Sequence, residues 1–167
     1  LRYLSLYDNK HIRYFQGHTE QLSSIDINPV SDQILTGSQD GTVRIWDLSS
    51  PVCAAIMKLD GKPKAIIAFD PEGMIFATAS APYVRLYNLK QLGSGPFAEF
   101  NLEDSIRNIS AHKAQGRFNP QFVGLKFDAK GKHLLVTTNQ GLVLVVESFH
   151  GALESVIGDF ELAPAHN

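Results

Sequence analysis

Three stretches of this chain repeat one pattern: "TVRIWDL" (Thr42 to Leu48), "YVRLYNL" (Tyr83 to Leu89) and "LVLVVES" (Leu142 to Ser148). "LSLYD" (Leu4 to Asp8) is an earlier, partial copy. The equivalent positions Leu4, Val43, Val84 and Val143 stand 39, 41 and 59 residues apart. The long last interval holds an insertion, "EDSIRNISAHKAQGRFNP" (Glu103 to Pro120), whose 18 residues account for the excess over 41. A second register agrees: "SIDINP" (Ser24 to Pro29), "IIAFDP" (Ile66 to Pro71) and "GLKFDA" (Gly124 to Ala129) each precede a turn bearing Gly or Asp. Units this short cannot bury their own faces, so they must stack on one another.

Each unit reads as four short strands. In the first full unit they fall at about 22–27, 33–38, 42–47 and 52–59, rich in β-branched and aromatic residues and broken by Gly, Pro, Asn and Asp. Asp40-Gly41 reads as a type I′ hairpin turn, with positive φ at both central residues. Asn28-Pro29, Asp70-Pro71 and Glu72-Gly73 punctuate the other turns. No segment reads as a helix. The expected fold is all-β, a WD40-type β-propeller with about three and a half blades of a larger, nominally seven-bladed ring. Residues 1–16 supply two strands of an incomplete blade. Blades follow at 17–60, 61–102 and 121–158, with an insertion loop at 103–120 and a tail at 159–167. An open array exposes sheet edges, so a longer physiological protein, or a partner covering the ends, is expected. The initial Leu1 agrees with that expectation.

Composition narrows the function classes. The formal net charge of −2 and a pI near 6.3 argue against a surface built for nucleic-acid phosphates. The single cysteine, Cys53, permits no internal disulfide and no cysteine-based zinc site, and it suits a reducing compartment. Runs such as "AIIAF" and "LVLVV" are too short to cross a bilayer, and no secretion leader opens the chain.

The stretch "GSQDGTVRIWDLSS" (Gly37 to Ser50) resembles the Trp-Asp end of a WD-repeat blade, with Gly17-His18 upstream. That resemblance implies a buried chain in which Trp46 donates to Ser38, Ser38 to His18 and His18 to Asp40. Physical need supports it, since a buried indole N–H without a partner costs about 1–3 kcal/mol. Ser38, His18 and Asp40 also suggest a hydrolase triad, but an interior serine without a nucleophile elbow or oxyanion donors makes a poor nucleophile. The later blades carry Tyr87-Asn88 and Val146-Glu147 at the Trp-Asp position and must rely on apolar packing.

Longer matches point to one family. "YLSLYDNKHIRYFQGH", "VRIWDLSSPVC", "FDPEGMIFA", "VRLYNL", "GPFAEF" and "GLKFDAKGKHLLVTTNQG" resemble the WD-repeat subunit shared by the COMPASS histone methyltransferase complex and the cleavage-and-polyadenylation machinery of fungi. The resemblance implies a non-catalytic nuclear scaffold without cofactor. Its implied partners are the N-terminal region of a methyltransferase catalytic subunit, or the phosphatase-module scaffold of the 3′-end processing machinery. No membrane and no direct nucleic-acid contact is expected. The chain departs from the family in lacking later blades and in its longer insertion. Which complex it serves stays open, and a reader of a modified histone or polymerase tail is the alternative.

Other residues read as structural. Cys53 is a packing residue in an outer strand, and "LGSGPF" lacks the lysine of a phosphate loop. Histidines 11, 18, 112, 133, 150 and 166 show no ligand spacing, so no metal site is expected. Asp26, Asp70 and Asp128 are read as equivalent turn residues after the first strand of each blade. The insertion mixes Glu103, Asp104, Arg107, His112, Lys113 and Arg117 with Ile106, Ile109 and Phe118. It is a solvated loop by default, a partner-contacting loop in the sharper reading, and an RNA contact as a third option. Candidate contacts on the face of the blade-connecting loops are Gln21, Gln39, Lys64, Tyr83 and Asn139, together with Arg107 and Arg117 of the insertion.

Overall fold

A computed structural model describes residues 1–59, 64–112 and 120–158, except the side chains of 110–112. Four antiparallel sheets stand side by side. The first pairs β1 (Arg2–Leu4) with β2 (His11–Tyr14). The second runs β3 (Leu22–Ile27), β4 (Gln33–Ser38), β5 (Thr42–Asp47) and β6 (Cys53–Lys58). The third runs β7 (Ile66–Phe69), β8 (Ile75–Ser80), β9 (Tyr83–Asn88) and β10 (Ala98–Asn101). The fourth runs β11 (Phe122–Phe127), β12 (His133–Thr138), β13 (Val143–Glu147) and β14 (Leu153–Ile157). The three four-stranded sheets are the first, second and third full blades of a WD40-type propeller.

Alternation explains the packing. Successive side chains point to opposite faces, so each strand presents one set to the preceding blade and another to the next. Ile67 and Phe69 of β7 meet Leu35, Val43 and Ile45 of the first blade in one core. Leu125 and Phe127 of β11 meet Ala77, Val84 and Leu86 of the second blade in another. Every residue of β7 is buried, as expected of a strand covered on both faces. The end faces of the array differ. Ile25 and Ile27, which match Ile67 and Phe69, are 51% and 60% exposed. Leu135, Val143 and Val145, which match Leu35, Val43 and Ile45, are only half-buried.

Three expectations need correction, the third of them at Asp26 below. Residues 103–112 do not form a loop but the helix α1 (Glu103–His112). Asn101 accepts the Glu103 amide at its start, Glu103 and Asp104 favour the positive end of the helix dipole, and Arg107 pairs with both. Ile106 and Ile109 pack on the core between the second and third blades, next to buried Leu102. Lys113, Arg117 and Phe118 lie outside the described residues, as do 60–63 and the tail. The turn at Asp40-Gly41 is also not type I′. Only Gly41 has positive φ, and its amide donates to Ser38 O, leaving Asp40 in an ordinary conformation with its carboxylate aimed inward.

The inner strands β3, β7 and β11 touch in sequence. Asp26 is not a turn residue like Asp70 and Asp128; Asn28 holds that place, and Asp26 lies inside β3. Its carboxylate accepts the Phe69 amide at 2.8 Å and the Lys126 ammonium at 3.1 Å, tying all three blades. Asp26→Ala is expected to cost about 1–2 kcal/mol by orphaning the Phe69 amide. Lys126→Ala, which removes an exposed cation, costs less than about 1 kcal/mol. Urea unfolding of the intact protein orders the two; equal losses would mean that the ion pair, not the amide, carries the tie.

Candidate functional site

The polar cluster of the first full blade is built from β4, β5 and the segment that precedes β3. Trp46 Nε1 donates to Thr36 Oγ1 at 2.8 Å. Thr36 Oγ1 lies 2.8 Å from His18 Nε2, and His18 Nδ1 lies 2.9 Å from Asp40 Oδ2. A carboxylate only accepts, so Nδ1 carries the proton and Nε2 accepts from the Thr36 hydroxyl. Thr42 adds its hydroxyl to Asp40 Oδ1 at 2.6 Å, and the Thr19 amide bonds Oδ2. Trp46 is 1% exposed and the His18 side chain 7%.

Ser38 is therefore not the link between indole and imidazole; Thr36 is. Register explains this. Trp46 pairs with Ile34, so Thr36 stands one diagonal step away and Ser38 two. Each step of two residues spans about 6.6 Å, and the indole reaches only the first. Ser38 instead closes the turn: its hydroxyl accepts the Asp40 amide and donates to the Gln21 carbonyl. With Ser38 turned from His18 and both ring nitrogens engaged, the triad has no attacking hydroxyl.

Burial raises the Asp40 pKa, but bonds from Thr42, His18 and the Thr19 and Thr42 amides outweigh it and hold the carboxyl far below its ordinary 3.8. A depressed folded value means stabilisation that is complete above the ordinary value and lost as pH falls through the folded one. Asp40→Asn is thus expected to melt well below the parent at pH 7, with the gap narrowing steadily below pH 4. Thermal melts from pH 7 to 2 check this; a constant gap would contradict it.

The second blade replaces this chain by a stack. Phe76 and Tyr87 occupy the Ile34 and Trp46 places with ring centroids 5.3 Å apart. In the third blade, Leu134, Val136 and Val146 fill the same places with aliphatic packing.

The expected contact residues fall at one end of the blades. The Gln39 amide donates to Gln21 O, and Asn139 pairs with Gln121 in the same way. Lys64 is exposed, Tyr83 is half-buried with the Arg85 guanidinium over its ring, and Arg107 is exposed on α1. A cleft of about 260 Å³ lies nearby, lined by Leu1, Phe15, Glu20 and Leu22 and the edges of His18, Thr36 and Trp46. It opens toward the two-stranded sheet, on the same side of β3 and β4 as uncovered Ile25 and Ile27. In the other blades the matching residues meet a neighbouring blade, so the cleft reads as a gap between blades.

Among the described residues no group of three His, Cys, Asp or Glu side chains could hold a metal. No described helix is long and apolar enough to cross a membrane. His133, which the sequence left unassigned, lies between Asp128 at 2.9 Å and Glu154 at 3.1 Å. The Asp128 bond and the two charges raise its pKa.

A family model for the WD domain, G-beta repeat, matches residues 9–47, ending on the Trp46-Asp47 pair. The chain is 43% identical over 152 residues to WD repeat-containing protein 82 of Drosophila melanogaster, covering 90% of this chain and 44% of that protein. It is 32% identical over 154 residues to the Set1 complex component swd2 of Schizosaccharomyces pombe, covering 91% and 40%. It is also 32% identical over 161 residues to the COMPASS component SWD2 of Saccharomyces cerevisiae, covering 90% and 42%. The chain spans less than half the length of these curated relatives. Four stacked sheets, a Trp-Asp blade and these matches make the chain a WD-repeat β-propeller segment, similar over nine-tenths of its length to the Swd2-type proteins.

Proposed function

We propose that this chain is part of a non-catalytic scaffold subunit of a Set1/COMPASS-type histone methyltransferase complex, working in the nucleus. The observation that carries the reading is the match to COMPASS component SWD2 and Set1 complex component swd2 along nine-tenths of the chain. The chemistry agrees with it. The residues that could do acid–base work, His18 and Asp40, are spent on holding Trp46, so the outer turns are left to recognise protein partners. The uncovered faces at Ile25 and Ile27 and at Leu135, Val143 and Val145 are blade-facing positions. Further blades of a ring would cover them, in keeping with relatives more than twice as long.

Affinity purification of the full-length protein, with mass spectrometry of its companions, tests the reading. Subunits of a methyltransferase complex are the expected result. A phosphatase-module scaffold in their place would move the protein to 3′-end processing, and recovery of neither class of companion would contradict the scaffold assignment.

A further inference from the structure

His133 opens β12, the second strand of the third full blade, with a carboxylate at each ring nitrogen. Its Nδ1 donates to Asp128 Oδ2 at 2.9 Å, in the turn that precedes β12. Its Nε2 lies 3.1 Å from Glu154 Oε2, on the outer strand β14. An ionised carboxylate only accepts, and a neutral imidazole carries a single N–H. Both contacts are therefore attractive only while both ring nitrogens are protonated and the ring is a cation. A neutral ring bonded to Asp128 turns the Nε2 lone pair toward Glu154.

The two carboxylates are not held alike. Asp128 Oδ1 also accepts the Lys132 amide at 2.8 Å and the His133 amide at 3.2 Å, so its own turn fixes it whatever the ring does. The exposed Glu154 carboxylate pairs with His133 alone among the described residues. Glu154 is also the extra residue where β14 slips against β13, between Leu153 opposite Val146 and Ser155 opposite Val145. A bulge of this kind interrupts the ladder, so β14 is tied least well where the side-chain contact lands. The matching places of the first blade hold Gln33 and Ala54, and Ile75 fills the His133 place in the second. The other charges nearby are engaged or face solvent. Glu147, opposite His133 on β13, takes the Phe149 and His150 amides and the His150 ring. Lys126 of β11 reaches away to Asp26, and Lys130 and Lys132 are exposed in the turn. In the second-blade turn that meets Gly131 through Pro71, Asp70 holds the Glu72 and Ile75 amides and Glu72 is exposed.

We infer that His133 is a proton-operated clasp. As a cation it ties β14 to the first turn of the third blade; as a neutral ring it keeps Asp128 and releases Glu154. The Asp128 bond, with the Glu154 charge, outweighs desolvation and raises the His133 pKa above its ordinary 6.5. A raised folded value means that the tie is complete below the ordinary value and lost as pH rises through the folded one. The outer edge of this blade is thus firm in mild acid and loosens toward mild alkali, while the apolar cores between the blades do not respond.

The test follows hydrogen exchange of residues 153–157 in the full-length protein by mass spectrometry between about pH 6 and pH 9. The outer strand β6 serves as the standard, because its one ionisable side chain besides Cys53 is Lys58 and the ratio cancels the general acceleration of exchange by hydroxide. The ratio of β14 to β6 exchange should rise about threefold over this range, the size expected of one exposed ion pair. It should stay level in Glu154→Gln and in His133→Gln, since each removes a charge on which the clasp depends. If one variant melts early, the other carries the comparison. Spectra of the ring-labelled protein give a second reading: the histidine signal missing from His133→Gln should titrate above 6.5 in the parent and move toward 6.5 in Glu154→Gln. A level ratio in the parent, a rise that persists in the variants, or a ring that titrates at or below 6.5 overturns the inference.

Discussion

Thr36→Val lowers stability by about 2–4 kcal/mol, although valine has nearly the shape of threonine. The hydroxyl serves two buried groups at once, accepting from the indole of Trp46 and donating to His18 Nε2. Valine leaves both without their partner, with Thr36 and Trp46 at most 1% exposed, and each such group costs about 1–3 kcal/mol. Ser38→Ala, at a residue just as buried, removes a turn-closing hydroxyl and costs about 1 kcal/mol. His18→Ala combined with Thr36→Val should cost less than the two changes summed, because they break the same chain. Denaturant midpoints of the four proteins check the order. Equal losses at Thr36 and Ser38 would mean that either hydroxyl can serve the indole.

Gly37→Ala is the second large effect, and its sign runs against ordinary expectation. In a generic strand, alanine should gain roughly 0.5–1 kcal/mol over glycine. Here an added Cβ would lie 2.3 Å from the Ala65 carbonyl oxygen of the next blade and 2.7 Å from Ser24 Oγ. That carbonyl is held in place by the Ser23 and Ser24 hydroxyls, so the backbone of the second blade must shift. Overpacking of this kind costs about 1–3 kcal/mol. The expected result is a lower melting temperature and a faster unfolding rate. A gain in stability would show that the blades stand farther apart at Gly37 than described.

Much of the fold was legible because its signal is periodic. The spacing of Val43, Val84 and Val143 located three sheets. The helix α1 was not, because ten residues in a β-rich chain give little propensity signal, and its stability comes from Ile106 and Ile109 packing on a core. Its cap at Asn101 and the acidic first turn were the local clues. The polar cluster was read in the right place with the wrong hydroxyl. Aligning the blades separates the two roles only in the third. The Ser38 place is Ser80 and Thr138 in the later blades. The Thr36 place is Thr78 in the second blade, a hydroxyl although Tyr87 has replaced the indole, and becomes Val136 only in the third, where Val146 stands in the indole's place.

Trp46 is the chain's single tryptophan, so its indole N–H gives one resolvable signal in a nitrogen–proton spectrum. With the indole bonded to Thr36 and closed off by neighbouring strands, that proton should resist exchange with heavy water until the blade opens. Loss of the signal at the rate of a free indole would place the cluster in solvent and remove the basis for an inert interior with recognition on the outer turns.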